Sequence, residues 1–168
     1  MARSPSRYAD WDRAKSEADR LTEEYTIPPV PVLEIAEHNG VDVKFVEFDK
    51  YADEISGFCD FSEAKIYVNA EDILSRQMFT IAHELGHWIL HRDIFLADPE
   101  SYPVMPRFTN PDASDPLEEE ANHFAANLLV PNRLLRPIID LPISSLADLF
   151  AVSRIMMEYR VKNVKQVA

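Results

Sequence analysis

Residues 80–91 read TIAHELGHWILH, and this stretch decides the fold. Within it, His83-Glu84-Leu85-Gly86-His87 sets two histidines one helical turn apart with a glutamate between them. On an α-helix positions i and i+4 share a face. Both imidazoles can therefore reach one metal ion, and Glu84 stands beside it, placed to polarise a water. With His83 at 0° and 100° per residue, His87 falls at about 40°, Thr80 at about 60°, His91 at about 80° and Glu84 at about 100°. Met78, Ile81, Ala82, Leu85 and Ile89 fall between about 160° and 260°. The pattern predicts a helix from Ser75 to about His91 with an apolar back and one ionisable face. A surface helix that happens to carry two histidines is the competing reading. Gly86 costs about 1 kcal/mol against alanine inside a helix, so it is either a close-packing position or merely a tolerated one.

A catalytic zinc takes three protein ligands and a water, so a third must be found. His91 is too far along the helix: eight residues rise about 12 Å, whereas donors on one zinc sit about 2 Å from it. A helix-end or supporting role suits it better. The next acids lie in residues 117–131, LEEEANHFAANLLVP. Leu117, Ala121, Phe124, Ala125, Leu128 and Leu129 define one apolar helix face. Glu118 lies roughly 60° from its centre, Glu120 roughly 100° and Glu119 roughly 160°. Glu118 is thus the first choice as ligand and Glu120 the second, because a core-facing carboxylate is costly unless paired or metal-bound. The alternative is that all three acids solvate the first turn and favour its dipole. Asn122, one turn beyond Glu118, can orient a ligand histidine. His123 is expected to point to solvent.

The 168 residues carry 29 acids and 17 Lys/Arg, a formal charge of −12, which argues against a protein that coats nucleic acid or an anionic membrane. The imbalance is uneven, since residues 132–168 hold six Lys/Arg against three acids. The single Cys59 allows no internal disulfide and suits a reducing cytosol. No apolar leader or run of 18 apolar residues is present, so the expectation is a cytoplasmic protein.

Around the central helix the chain reads as α+β. Residues 6–25 carry an apolar stripe of Tyr8, Trp11, Ala14, Ala18, Leu21 and Tyr25, an amphipathic helix whose aromatics are expected in the core. Pro28, Pro29 and Pro31 precede a short helix over residues 32–39 that ends at Gly40. Residues 41–48 alternate as a strand, and 55–61 and 65–69 follow as two more, so a small, mostly antiparallel sheet precedes the helix. Between Asp93 and Pro116 the pattern lapses into a proline-rich connection. Residues 1–131 are expected to form the domain, with 132–168 a helical segment packed on it. There, residues 146–153 read as a helix, a turn and a second helix capped by Ser153, the start of a helix-turn-helix. Arg154, Arg160 and Lys162 give it a weak basic excess. Its apolar residues favour packing or partner docking over DNA contact through residues 146–162.

The stretches RQMFTIAHELGHWILH (residues 76–91), IYVN (66–69), EEEANHFAANLLVP (118–131) and LADLFAVSRIMMEYRV (146–161) together resemble the ImmA/IrrE family of metallo-endopeptidases. That resemblance implies a gluzincin-like fold, zinc held by His83, His87 and Glu118, and Glu84 as general base. It also implies a protein substrate, a helix-turn-helix repressor whose cleavage relieves repression. Tyr67, Tyr102 and Arg107 are oxyanion-stabilising candidates by residue type, and residues 65–69 are expected to offer an edge strand to an extended substrate. The alternative function is a regulatory binding protein that captures a repressor or toxin–antitoxin partner and uses the metal structurally. Intact Glu84 argues for the enzyme.

Overall fold

In the computed structural model, residues 8–100, 107–108 and 115–166 are described, with 107–108 as backbone only. Helix α1 (Trp11–Thr22) is started by Asp10, whose carboxylate accepts from the Arg13 N–H at 3.0 Å. Helix α2 (Val32–His38) follows the prolines and ends before Gly40, whose φ of +85° suits a residue without a side chain. Strands β1 (Asp42–Val46), β2 (Ile55–Asp60) and β3 (Lys65–Asn69) precede the long helix α3 (Leu74–Ala97). After it come a two-residue strand β4 (Arg107–Phe108), helix α4 (Pro116–Leu129), the single turn α5 (Asn132–Leu135), α6 (Ile143–Phe150) and α7 (Arg154–Gln166). The class is α+β, as expected.

The sheet order is β1-β3-β2-β4. Strand β3 pairs antiparallel with β2 but parallel with β1, so the sheet is mixed, although two of its three pairings are antiparallel. This order overturns the idea of residues 65–69 as an edge: β3 is hydrogen-bonded on both sides. Its alternation explains the placement, because Ile66 and Val68 are fully buried against the helices. Tyr67 turns to the opposite face and stacks on Phe58, with ring centroids 4.9 Å apart. Tyr67 therefore faces away from the ionisable face of α3, which removes it as an oxyanion candidate. Tyr102 lies outside the described residues, as does the side chain of Arg107. At the end of β3, buried Asn69 donates to the carbonyls of Ala52 (2.6 Å) and Ile55 (2.9 Å) and accepts from the Glu71 N–H (2.8 Å). One amide thus fixes where β2 begins and where the chain turns toward α3.

Helix α3 runs two turns beyond the expected end at His91. Ile94 is 3% exposed, and Phe95 packs on Phe61 with centroids 4.7 Å apart, so the added turns have a core side of their own. Helix α4 lies between α3 and α1. Toward α3, Gly86 allows close approach: a Cβ there would sit 3.0 Å from Phe124 Cδ1 and 3.2 Å from Ala121 Cα. Gly86 is a packing position. On the other flank α1 covers α4, which corrects two expectations drawn from a single-faced wheel. His123 does not point to solvent but meets the Trp11 ring edge-on at 4.9 Å. Glu120 is 2% exposed, deeper than Glu118. The aromatic end of α1 is shallower than its periodicity suggests, with Tyr8 75% and Trp11 45% exposed.

Phe150 and Met157 of the last helices join the same apolar cluster as Ile81, Leu85 and Phe124. Ser153 caps α7, its Oγ accepting from the Met156 N–H at 3.1 Å. Arg160 is 3% exposed and donates to the Val130 carbonyl from Nε (3.2 Å) and Nη2 (2.9 Å), and to Asn132 Oδ1. Of the three cations that favoured a DNA-contacting helix, Arg160 is thus committed to packing, while Arg154 and Lys162 are exposed.

Candidate metal centre

Helix α3 supplies His83 and His87 from adjacent turns, and α4 supplies Glu118 from its first turn, where Asp115 caps the helix by accepting from the Leu117 N–H at 2.8 Å. Glu118 Oε2 lies 2.9 Å from His83 Nε2, and Oε1 lies 3.0 Å from His87 Nε2. One ligand atom from each of the three residues falls within 4.8 Å of the others, a grouping that can hold a metal ion. His83 and His87 are buried and Glu118 half-buried. Burial opposes ionisation of Glu118, but the two imidazoles facing it outweigh that cost and hold its carboxyl well below the usual range.

The outer nitrogens are tied down as well. His83 Nδ1 lies 2.8 Å from Asn122 Oδ1, the orienting contact expected of Asn122. His87 Nδ1 lies 2.9 Å from His91 Nδ1, and His91 Nε2 lies 2.9 Å from Glu120 Oε2. Glu120 Oε1 in turn accepts from the Asp10 N–H at 3.2 Å. His91 is fully buried. One arrangement of protons satisfies the whole chain: His87 Nδ1–H donates to His91 Nδ1, and His91 Nε2–H donates to the Glu120 carboxylate. In it, His87 Nε2 keeps its lone pair for a metal. Eight residues of helix keep His91 out of the ligand group while placing it directly behind His87. Its supporting role was legible from spacing. Its partner Glu120 was not, because the wheel treated that acid only as a second-choice ligand.

Glu84 is buried beside the cluster at 5% exposure. Beneath it Cys59 of β2 is 3% exposed, and its thiol is pushed well above its ordinary value, mainly by burial and then by the charges of Glu84 and Asp60. The donor set fits zinc, since two imidazole nitrogens converge on one carboxylate and the far nitrogen of each ring is already engaged.

No curated protein matches the chain. Among solved structures it is similar to a Mycobacterium tuberculosis transcriptional regulator, at 17% identity and a TM-score of 0.64. The match covers 89% of this chain but only 46% of that one, and it concerns the fold. No described helix is long and apolar enough to cross a membrane. Residues 36–162 match Peptidase_M78, the IrrE N-terminal-like domain, over a span that takes in His83, Glu84, His87 and Glu118, and the chain belongs to this family.

Proposed function

We propose that the protein is a zinc-dependent endopeptidase whose substrate is a helix-turn-helix transcriptional repressor. The observation that carries the reading is the convergence of His83 Nε2, His87 Nε2 and the Glu118 carboxylate beside an intact, buried Glu84. His83, His87 and Glu118 would hold the metal. Zinc, when bound, supplies a Lewis acid that eases deprotonation of water and polarises the scissile carbonyl. Glu84 is the base: its carboxylate takes the proton of the attacking water and passes it to the departing amine. Asn122 and the His91–Glu120 pair keep the two ligand imidazoles in the tautomer that presents Nε2. Peptidase family membership supports a protein substrate, and the ImmA/IrrE likeness supports a repressor. The lone buried Cys59 supports a cytoplasmic setting. In this reading residues 1–131 form the peptidase domain, and residues 132–168 form the helical segment that the buried Arg160 ties to Val130.

The reading is tested by incubating zinc-loaded protein with a helix-turn-helix repressor encoded by a neighbouring gene. Wild type should cleave it and Glu84→Gln should not, with equal zinc in both. Equal binding without cleavage by either protein would instead establish the capture-type regulator. Metal analysis of Glu118→Ala against Glu120→Ala checks the third ligand, and stoichiometric, tightly held zinc in Glu118→Ala would remove Glu118 from that role.

A further inference from the structure

The flank of α4 that turns toward α1 carries Glu120 and, three residues on, His123, which meets Trp11. Ala14 and Ala18 of α1 are fully buried, and their small side chains let its main chain approach α4 closely. At its first turn α1 sends two donors into the layer formed by α3 and α4. The Asp10 N–H donates to Glu120 Oε1 at 3.2 Å, and Arg13 Nη1 donates to the Leu90 carbonyl at 3.0 Å. Leu90 immediately precedes His91, whose Nε2 lies 2.9 Å from the other oxygen of Glu120. The two donors therefore bracket one residue. One bonds the carboxylate that His91 meets, and the other bonds the backbone that carries His91. The Asp10 carboxylate also accepts from the Arg13 N–H at 3.0 Å, so the cap fixes the two donors relative to each other.

Glu120 is 2% exposed and His91 fully buried. A carboxylate at that depth is costly unless its oxygens are bonded. Without the Asp10 N–H, Oε1 is better solvated by turning toward water, and Oε2 moves away from His91 with it. His91 is in turn the partner that sets the tautomer and ring angle of His87. Residues 11–22 precede the span 36–162 that matches the family, so this support comes from a part of the chain outside the matched domain.

We propose that the first turn of α1 is a positioning element of the metal centre. In it, the Asp10 N–H and the Arg13 guanidinium hold Glu120 and His91 so that His87 presents Nε2 to the metal. The inference rests on the metal-binding part of the peptidase reading and adds a third helix to the construction of the site. Both groups act through His91 and are not ligands.

The test measures zinc affinity of full-length variants by competition with a chromophoric chelator, beside urea unfolding of the metal-free proteins. Asp10→Ala removes the cap alone, whereas Asp10→Pro removes the cap and the N–H. Asp10→Ala should lower stability but bind zinc within about twofold of wild type. Asp10→Pro should bind zinc about three- to tenfold more weakly than Asp10→Ala, less than the effect of a partner that touches a ligand directly. Arg13→Met keeps the aliphatic stem, loses the bond to Leu90 and should weaken zinc by about three- to tenfold. Arg133→Met is the structural control. Arg133 Nη2 holds the far end of α1 through the carbonyls of Thr22 (2.8 Å) and Tyr25 (2.9 Å). Thr22 stands about 18 Å along the axis from Asp10. Arg133→Met should lower the urea midpoint yet leave zinc affinity within about twofold of wild type. The visible absorption of the cobalt-substituted protein should change in Asp10→Pro and Arg13→Met and stay as wild type in Arg133→Met.

Wild-type zinc affinity in either Asp10→Pro or Arg13→Met overturns the proposal. So does a loss in Asp10→Ala equal to that in Asp10→Pro, since the cap and not the N–H would then be responsible. A loss in Arg133→Met equal to that in Arg13→Met also overturns it, because affinity would then follow the stability of α1 as a whole. Should Asp10→Pro not fold, Arg13→Met against Arg133→Met decides. A wild type that binds no zinc would overturn both readings. Zinc binding is read without turnover, so failure of wild type to cleave any repressor counts against the peptidase reading alone.

Discussion

Replacing His91 with phenylalanine asks how far a residue outside the ligand group controls the metal. Phenylalanine roughly preserves the buried volume, and the site already borders Phe95, whose ring centroid lies 6.1 Å from that of His91. Two polar contacts vanish, each 2.9 Å long: one to His87 Nδ1 and one to Glu120 Oε2. His87 then loses the acceptor that fixes its tautomer and ring angle. Loss of such a supporting partner typically weakens metal affinity by about 10- to 100-fold, about 1.4 to 2.7 kcal/mol. Competition against a chromophoric zinc chelator measures it directly. Glu120 keeps the Asp10 N–H, so part of its charge remains compensated. Glu120→Gln retains an acceptor for His91 and should cost less than about tenfold. The double variant should fall short of the sum of the two, since both act through one hydrogen-bonded chain. Unfolding of the metal-free proteins separates lost affinity from lost stability. Zinc affinity of His91→Phe within threefold of wild type would refute the reasoning.

Gly86→Ala should lower stability despite a helix-propensity gain of about 1 kcal/mol, because a Cβ 3.0 Å from Phe124 and 3.2 Å from Ala121 brings an overpacking cost of about 1–3 kcal/mol; a variant more stable in urea would contradict the close helix contact. Arg160→Met should cost about 2–3 kcal/mol, since it strips charged donors from the buried Val130 carbonyl, and zinc content should not change; an unaltered denaturation midpoint would dismiss the role. His123 is held below its ordinary value near 6.5, first by burial and then by Arg160 and Lys15. The unfolded chain therefore takes up the proton first, so this contribution to stability is full above about pH 6.5 and is lost as pH falls through the folded value. His123→Gln should flatten the fall in stability over that acid range, and superimposable wild-type and variant curves there would show that His123 does not titrate as argued.

The metal face was readable from the sequence because helical spacing alone aligns His83, His87 and Glu84 and disqualifies His91. Glu118 and Asn122 followed from one apolar stripe on α4. The same stripe misplaced Glu120 and His123, because a wheel with one core direction does not register that α1 covers a second flank of α4. Strand existence was legible from alternation, whereas strand order was not: nothing local to residues 65–69 says that β1 returns to pair with them in parallel. The extra turns of α3 were hidden by the lapse of strict periodicity after His91. Two residues took on meaning only in three dimensions. The cost of a side chain at Gly57 comes first from the Tyr67 carbonyl on the neighbouring strand and then from Thr80 across the sheet–helix interface, and the exposure of Trp11 depends on how far α1 reaches past α4.

Cys59 lies on β2, buried near Glu84 of α3, and burial raises its thiol pKa so that it stays protonated. Its environment makes it inert to alkylating reagents for as long as the sheet and α3 remain in contact. Reaction therefore has to wait for a fluctuation that parts those layers. With one cysteine in the chain, the rate of labelling in a denaturant series measures the free energy of that parting without an engineered probe. If labelling tracks global unfolding, Glu84 and the helix that carries it are held as rigidly as the core itself. If it occurs through a smaller opening, the layer formed by β2 and α3 is a separate cooperative unit, and its breathing sets an upper limit on how long the His83–His87–Glu118 cluster stays assembled.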